Sequence, residues 1–128
     1  MRTVFWEDNE LKMIDQRILP ARFEVVSYRG YREVAQAITD MVVRGAPAIG
    51  AAAAFGLALA GYESASTSTE GLLADLGTAS AVLKSSRPTA VNLAWAVDRI
   101  LLSLSKREKG WGEGNVDSMR QFVLDEAQ

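Results

Sequence analysis

Two arginines in this sequence stand directly ahead of segments that are ready to start a helix. They occur in Arg44-Gly45-Ala46-Pro47-Ala48-Ile49-Gly50 and in Ser86-Arg87-Pro88-Thr89-Ala90-Val91-Asn92-Leu93. Proline suits the first helical position, because its fixed φ is already helical and its missing N–H would have had no partner there. The N–H groups that follow point forward unpaired and favour an anion, and a guanidinium adds a planar fork that spans two phosphate oxygens. Gly45 lets a ligand come close to the backbone. Ala46, at the cap position before Pro47, has no side-chain oxygen, so water or a ligand must satisfy those amides. Arg44, Gly45, Ala46 and Arg87 are therefore the candidate anion-binding residues. A structural reading of the same residues also stands. Arg44 would cap the end of the preceding helix, with Gly45 as its left-handed terminator. Ser85-Ser86-Arg87-Pro88 would then be a helix–helix turn with serine as the cap.

The rest of the composition narrows the chemistry. Among 128 residues there is no histidine and no cysteine. Thiolate metal sites, iron–sulfur clusters, cysteine nucleophiles and histidine bases are thereby excluded. Catalysis within the chain would have to use carboxylates, Lys, Arg, Tyr or hydroxyls. Asp40 and Asp98 fall on polar helix faces and Asp15 ends an early strand. All three read as solvated carboxylates, so the sequence nominates no catalytic residue, no metal ligand and no cofactor. With 14 basic against 16 acidic side chains and a net charge of −2, no basic stripe suggests nucleic acid or an anionic membrane.

Three short segments rich in β-branched, aromatic and aliphatic residues open the chain: Thr3 to Glu7, Leu11 to Gln16 and Phe23 to Tyr28. Asp8-Asn9 reads as a turn and Pro20 as a separator. From Tyr31 the apolar period becomes helical through Val34, Ile38, Met41 and Val42. Further helices are expected at about 48–62, 70–84, 89–106 and from a cap at Asn115 onward, after a Gly110–Gly114 break. The expectation is one α+β domain, a three-stranded antiparallel sheet within residues 1–28 followed by a bundle of about five helices over 31–128. The uncharged run from Gly45 to Tyr62 is interrupted by Pro47, which leaves ~22 Å of helix, short of a bilayer core. It reads as a buried helix. The N-terminus lacks a secretory pattern, which points to the cytoplasm. The acidic, uncapped end at Asp125-Glu126 suggests the front part of a longer protein.

The two arginine motifs closely resemble the N-terminal domain of methylthioribose-1-phosphate isomerases. Ile14-Asp15-Gln16-Arg17-Ile18-Leu19-Pro20 and Trp95-Ala96-Val97-Asp98-Arg99 extend the match over essentially the whole chain. The resemblance implies conversion of 5-methylthioribose 1-phosphate to 5-methylthioribulose 1-phosphate in methionine salvage, without a cofactor, by a homodimer. Phosphate on the anomeric oxygen blocks simple ring opening, so positioning carries much of the catalysis. The resemblance assigns Arg44, Gly45, Ala46 and Arg87 to the substrate. It places the catalytic cysteine and aspartate in a Rossmann-like C-terminal domain that has no counterpart here, so this chain alone is expected to be inactive. Ribose 1,5-bisphosphate isomerases share the pattern around the second arginine, and a 5-deoxyribose 1-phosphate activity is a further alternative. The non-catalytic regulatory subunits of translation initiation factor 2B share the fold as interaction modules, but generally lack the complete pair of motifs.

Overall fold

The computed structural model describes residues 4–15, 17, 24–43, 45–106 and 116–128. Arg44, Pro20, the Gly110–Gly114 break and the Asn115 cap lie outside them. Strands β1 (Val4–Glu7), β2 (Glu10–Ile14) and β3 (Val25–Tyr28) form an antiparallel sheet in the order β1-β2-β3, as the sequence predicts. The β1–β2 hairpin closes through Asp8 and Asn9, at φ 55° and 60°. Two consecutive left-handed residues match the strand twist, and Asp and Asn tolerate that conformation. Leu11 and Met13 of β2 are fully buried, while Lys12 between them reaches Glu7 at 2.9 Å, the alternation of a sheet with one wet face. Trp6 of β1 stacks on Phe55 with ring centroids 5.8 Å apart, fastening the sheet to the helices.

Among the described residues the sheet is followed by five helices: α1 (Tyr31–Thr39), α2 (Ala46–Glu63), α3 (Thr69–Ser86), α4 (Val91–Lys106) and α5 (Val116–Ala127). The α+β expectation holds. Helix α2 is the hub and touches every other helix as well as β1 and β2. Its Ala/Gly-rich surface lets neighbours approach on all sides, and Ala52, Ala53, Leu57 and Ala58 are fully enclosed. By length and composition α2 could cross a membrane, yet 67% of it is buried inside the structure, as befits a core helix. Helix α4 presents Leu93, Val97, Ile100 and Leu104 to this core.

Two local expectations are corrected. The helical period through Met41 and Val42 does not continue as helix. α1 stops at Thr39, Met41 N–H donates to Ile38 O at 3.2 Å and Val42 N–H to Ala37 O at 3.0 Å. That pair of bonds is a Schellman cap, with Met41 at φ 63° in the left-handed position usually given to glycine. Helix α1 is thus terminated by Met41, and Gly45 has a different task. Asp15, read as solvated, is buried instead. Its Oδ1 accepts from the Arg17 backbone N–H at 2.9 Å and from Nε at 3.0 Å, and its Oδ2 accepts from Nη2 at 2.8 Å. A carboxylate this far from water survives because a bidentate guanidinium two residues on satisfies both oxygens. Asp40 is exposed and hydrogen-bonded to Gln36, and Asp98 is half exposed and paired with Lys84, as carboxylates on polar faces should be.

Candidate functional site

Gly45 is the cap residue of α2 and sits at φ 89°, ψ 133°, which strains any residue with a Cβ. Ala46 is therefore the first helical residue and Pro47 the second, one position later than the sequence suggests. No side chain caps this helix start. The second motif departs further from expectation. Pro88 does not begin a helix: Ala90 N–H donates to Arg87 O at 2.9 Å, closing a β-turn with Pro88 at its favoured second position, and α4 starts only at Val91. Nor do the serines cap α4, since Ser85 and Ser86 donate backwards to the carbonyls of Ala81 and Leu83 in α3. Arg87 ends α3 rather than preceding α4 directly.

The two motifs nevertheless meet. A cavity of about 410 Å³ is lined by Met41, Gly45, Ala46 and Ile49 on one side and by Arg87, Thr89, Ala90, Val91 and Asn92 on the other. What brings them together is a close approach of α2 to α4. A Cβ on Gly50 would lie 3.2 Å from the Asn92 carbonyl oxygen and 3.8 Å from the Ala96 Cβ, so only glycine allows this spacing comfortably. Thr39 Oγ1 donates to Ser86 O at 3.1 Å, tying the end of α1 to the end of α3 just before Arg87. Three of the four predicted residues, Gly45, Ala46 and Arg87, thus share one cavity. Arg44, the fourth, lies outside the described residues.

The lining of the cavity is part polar and part apolar. Arg87, Thr89 and Asn92 supply a guanidinium, a hydroxyl and an amide, none engaged by another described residue, while Met41, Ile49 and Val91 supply apolar surface. A few convergent polar groups in an otherwise apolar concavity are the usual make-up of a small-molecule site. Such a set can hold an anion and hydroxyl groups, but it contains no base or nucleophile of ordinary strength. Thr89, Asn92 and Met41 are absent from the sequence-derived site. Thr89 and Asn92 stand in the second motif, but only the tertiary approach of α2 and α4 turns them toward the first.

The fold and the cavity define a small α+β domain whose helical hub carries an open cavity of mixed polar and apolar lining at one end. The chain belongs to the Initiation factor 2 subunit family, whose model matches residues 42–128. It is 52% identical over 104 residues to a methylthioribose-1-phosphate isomerase of a Synechococcus species, covering 81% of this chain and 30% of that relative. It is 44% identical over its full 128 residues to the enzyme of the same name from Chloroflexus aurantiacus, covering 36% of it. Among solved structures, the 5-methylthioribose 1-phosphate isomerase from Pyrococcus horikoshii superposes with a TM-score of 0.90 at 42% identity, over 98% of this chain and 34% of that one. A structure titled translation initiation factor eIF-2B, subunit delta, from A. fulgidus superposes with a TM-score of 0.87 at 42% identity, over 99% and 35%. The chain spans about a third of the length of these relatives. The resemblance read from the sequence is borne out.

Proposed function

We propose that this chain is the N-terminal substrate-holding domain of an aldose–ketose isomerase that converts 5-methylthioribose 1-phosphate to 5-methylthioribulose 1-phosphate. The observation that carries the reading is the cavity in which Arg87 and the uncapped start of α2 at Gly45-Ala46 face one another. Phosphate suits that setting, because a permanently charged guanidinium and unpaired helix amides both favour an anion. Arg44, beside Gly45 in sequence, adds a second guanidinium. Held by its phosphate, the sugar is oriented for ring opening and for the shift of hydrogen from C2 to C1. The groups that perform those steps belong to a catalytic domain in the two-thirds of the relatives' length that this chain does not span, so the chain alone turns over no substrate. The full-length protein is a cytoplasmic homodimer.

Calorimetric titration with ribose 1-phosphate at low salt tests this reading. Saturable binding by the wild type, lost in Arg44→Ala and in Arg87→Ala, supports a two-arginine phosphate clamp. Binding that survives both substitutions overturns it. The likeness to a structure titled as an initiation factor subunit favours a second reading, a non-catalytic interaction module. On that reading the full-length protein binds no sugar phosphate and shows no isomerase activity.

A further inference from the structure

The geometry points to Asn92 as the residue that reads the sugar itself, by hydrogen bonding the 2-hydroxyl of a ribose 1-phosphate. The inference rests on the phosphate reading above and extends it from the anion to the ring. Arg87, Thr89 and Asn92 all line this cavity. A phosphate held at Arg87 therefore brings the sugar that bears it into the cavity that Asn92 also lines. In a sugar 1-phosphate the 2-hydroxyl is the ring hydroxyl nearest to that phosphate, one carbon away. A hydroxyl both donates and accepts, and an asparagine amide offers an NH₂ donor and a carbonyl acceptor on one planar group. The Asn92 side chain is free to do so, since none of its polar atoms is engaged by a described residue.

Its backbone, in contrast, is held. The Asn92 carbonyl lies against Gly50, close enough that a Cβ there would stand 3.2 Å from it. The packed backbone fixes the point from which the amide reaches, so binding has only the side-chain rotamers left to order. The same contact orients C2, the carbon that gives up its hydrogen in the proposed reaction, so Asn92 acts as a positioning residue for that step. The Thr89 hydroxyl, in the same lining, has one rotatable oxygen and suits a phosphate oxygen as well as a sugar hydroxyl. It is the less selective of the two.

The test uses this chain with three probes: ribose 1-phosphate, 2-deoxyribose 1-phosphate and inorganic phosphate, titrated by calorimetry. The wild type is expected to bind ribose 1-phosphate about tenfold more tightly than the 2-deoxy sugar, the worth of a good hydrogen bond. In Asn92→Ala that ratio should fall to about one, while affinity for inorganic phosphate stays unchanged. Arg87→Ala should weaken all three probes. Wild-type discrimination that persists in Asn92→Ala overturns the inference, and so does equal wild-type affinity for the two sugars. Both results leave the phosphate clamp standing. Failure of the wild type to bind any of the three probes overturns the clamp itself and the role of Asn92 with it. Circular dichroism of Asn92→Ala should match the wild type, because its side chain is exposed.

Discussion

Gly50 and Asn92 meet with no side chain between them, the position of a Cβ on Gly50 being 3.2 Å from the Asn92 carbonyl oxygen. That contact sets how closely α4 lies on α2, and therefore whether Gly45-Ala46 and Arg87 can face one cavity. Gly50→Val must push the α4 backbone away, because a carbonyl, unlike the tip of a flexible side chain, cannot swing aside. A loss of about 1–3 kcal/mol of stability is expected, together with weaker binding of ribose 1-phosphate. Gly77→Ala is the matching control. Gly77 lies exposed within α3, nothing stands within 4 Å of its Cβ position, and helix propensity alone predicts a gain of about 0.5–1 kcal/mol. Urea denaturation of both variants gives the comparison. Equal behaviour would mean that the α2–α4 contact does not set the spacing.

Met41 occupies a left-handed position at φ 63° while lining the cavity. A long side chain there costs about 1–2 kcal/mol relative to a right-handed conformation. Met41→Gly is thus expected to raise stability by about 1 kcal/mol, and at the same time to remove the side chain from the apolar part of the lining and lower affinity for a sugar that carries an apolar 5-substituent. Thermal melts combined with titration of 5-methylthioribose 1-phosphate separate the two effects. A variant less stable than the wild type would show that Met41 contributes more by packing than its backbone costs.

Met41 also hides the end of α1 from the sequence. The hairpin at Asp8-Asn9 was legible, because the residue types that tolerate two left-handed conformations stood between two alternating apolar runs. The end of α1 was not. Its Schellman cap uses methionine where glycine would have signalled a stop, and Met41 and Val42 extend the apolar period past the true end. At the cavity, Arg87, Gly45 and Ala46 stand out by residue type, but Arg87 does not precede a helix that proline begins. Pro88 is a turn residue two positions before the last non-helical residue, and Arg87 reaches the cavity because α3 ends there. Proline fits both a turn and a first helical turn, so the sequence could not decide between them. The burial of Asp15 was illegible for a related reason. Only the folded chain places the Arg17 fork on both of its oxygens.

That pair predicts a pH dependence. The hydrogen bonds from the Arg17 side chain are the main influence holding the Asp15 carboxyl below its ordinary value of 3.8. Burial opposes them, and the Arg17 backbone N–H and charge add to them. A carboxyl whose folded pKa is depressed stabilises the fold above its unfolded pKa, and the contribution disappears as pH falls through the folded value. Asp15→Asn should therefore be less stable than the wild type at pH 7, with the gap narrowing below about pH 4. The Arg17 side chain is 49% exposed, so solvent screening keeps the difference modest. Urea midpoints at pH 7, 5 and 3 measure it, and a gap that does not change with pH would show that the pair is not what titrates.

Arg120 of α5 holds the far end of the hub. Its Nε donates to Gly61 O at 2.7 Å, and its Nη2 donates to Ser64 O at 2.9 Å and to Ser66 O at 3.1 Å. These carbonyls belong to the last turn of α2 and the segment after it, where a helix has acceptors but no donors of its own. A cation is favoured there by the helix dipole as well as by the hydrogen bonds. Only a planar fork reaches three separate carbonyls, so Arg120→Lys should recover little of what Arg120→Met loses, despite keeping the charge. Each is expected to cost about 2–3 kcal/mol, close to the worth of one or two charged hydrogen bonds after water replaces the others. The cavity lies at the opposite end of α2, so phosphate affinity should be unchanged in molecules that remain folded. Equilibrium unfolding gives the first quantity and calorimetry below the unfolding transition the second. A lysine variant as stable as the wild type would show that charge at the helix end, rather than the three carbonyl bonds, is what Arg120 supplies.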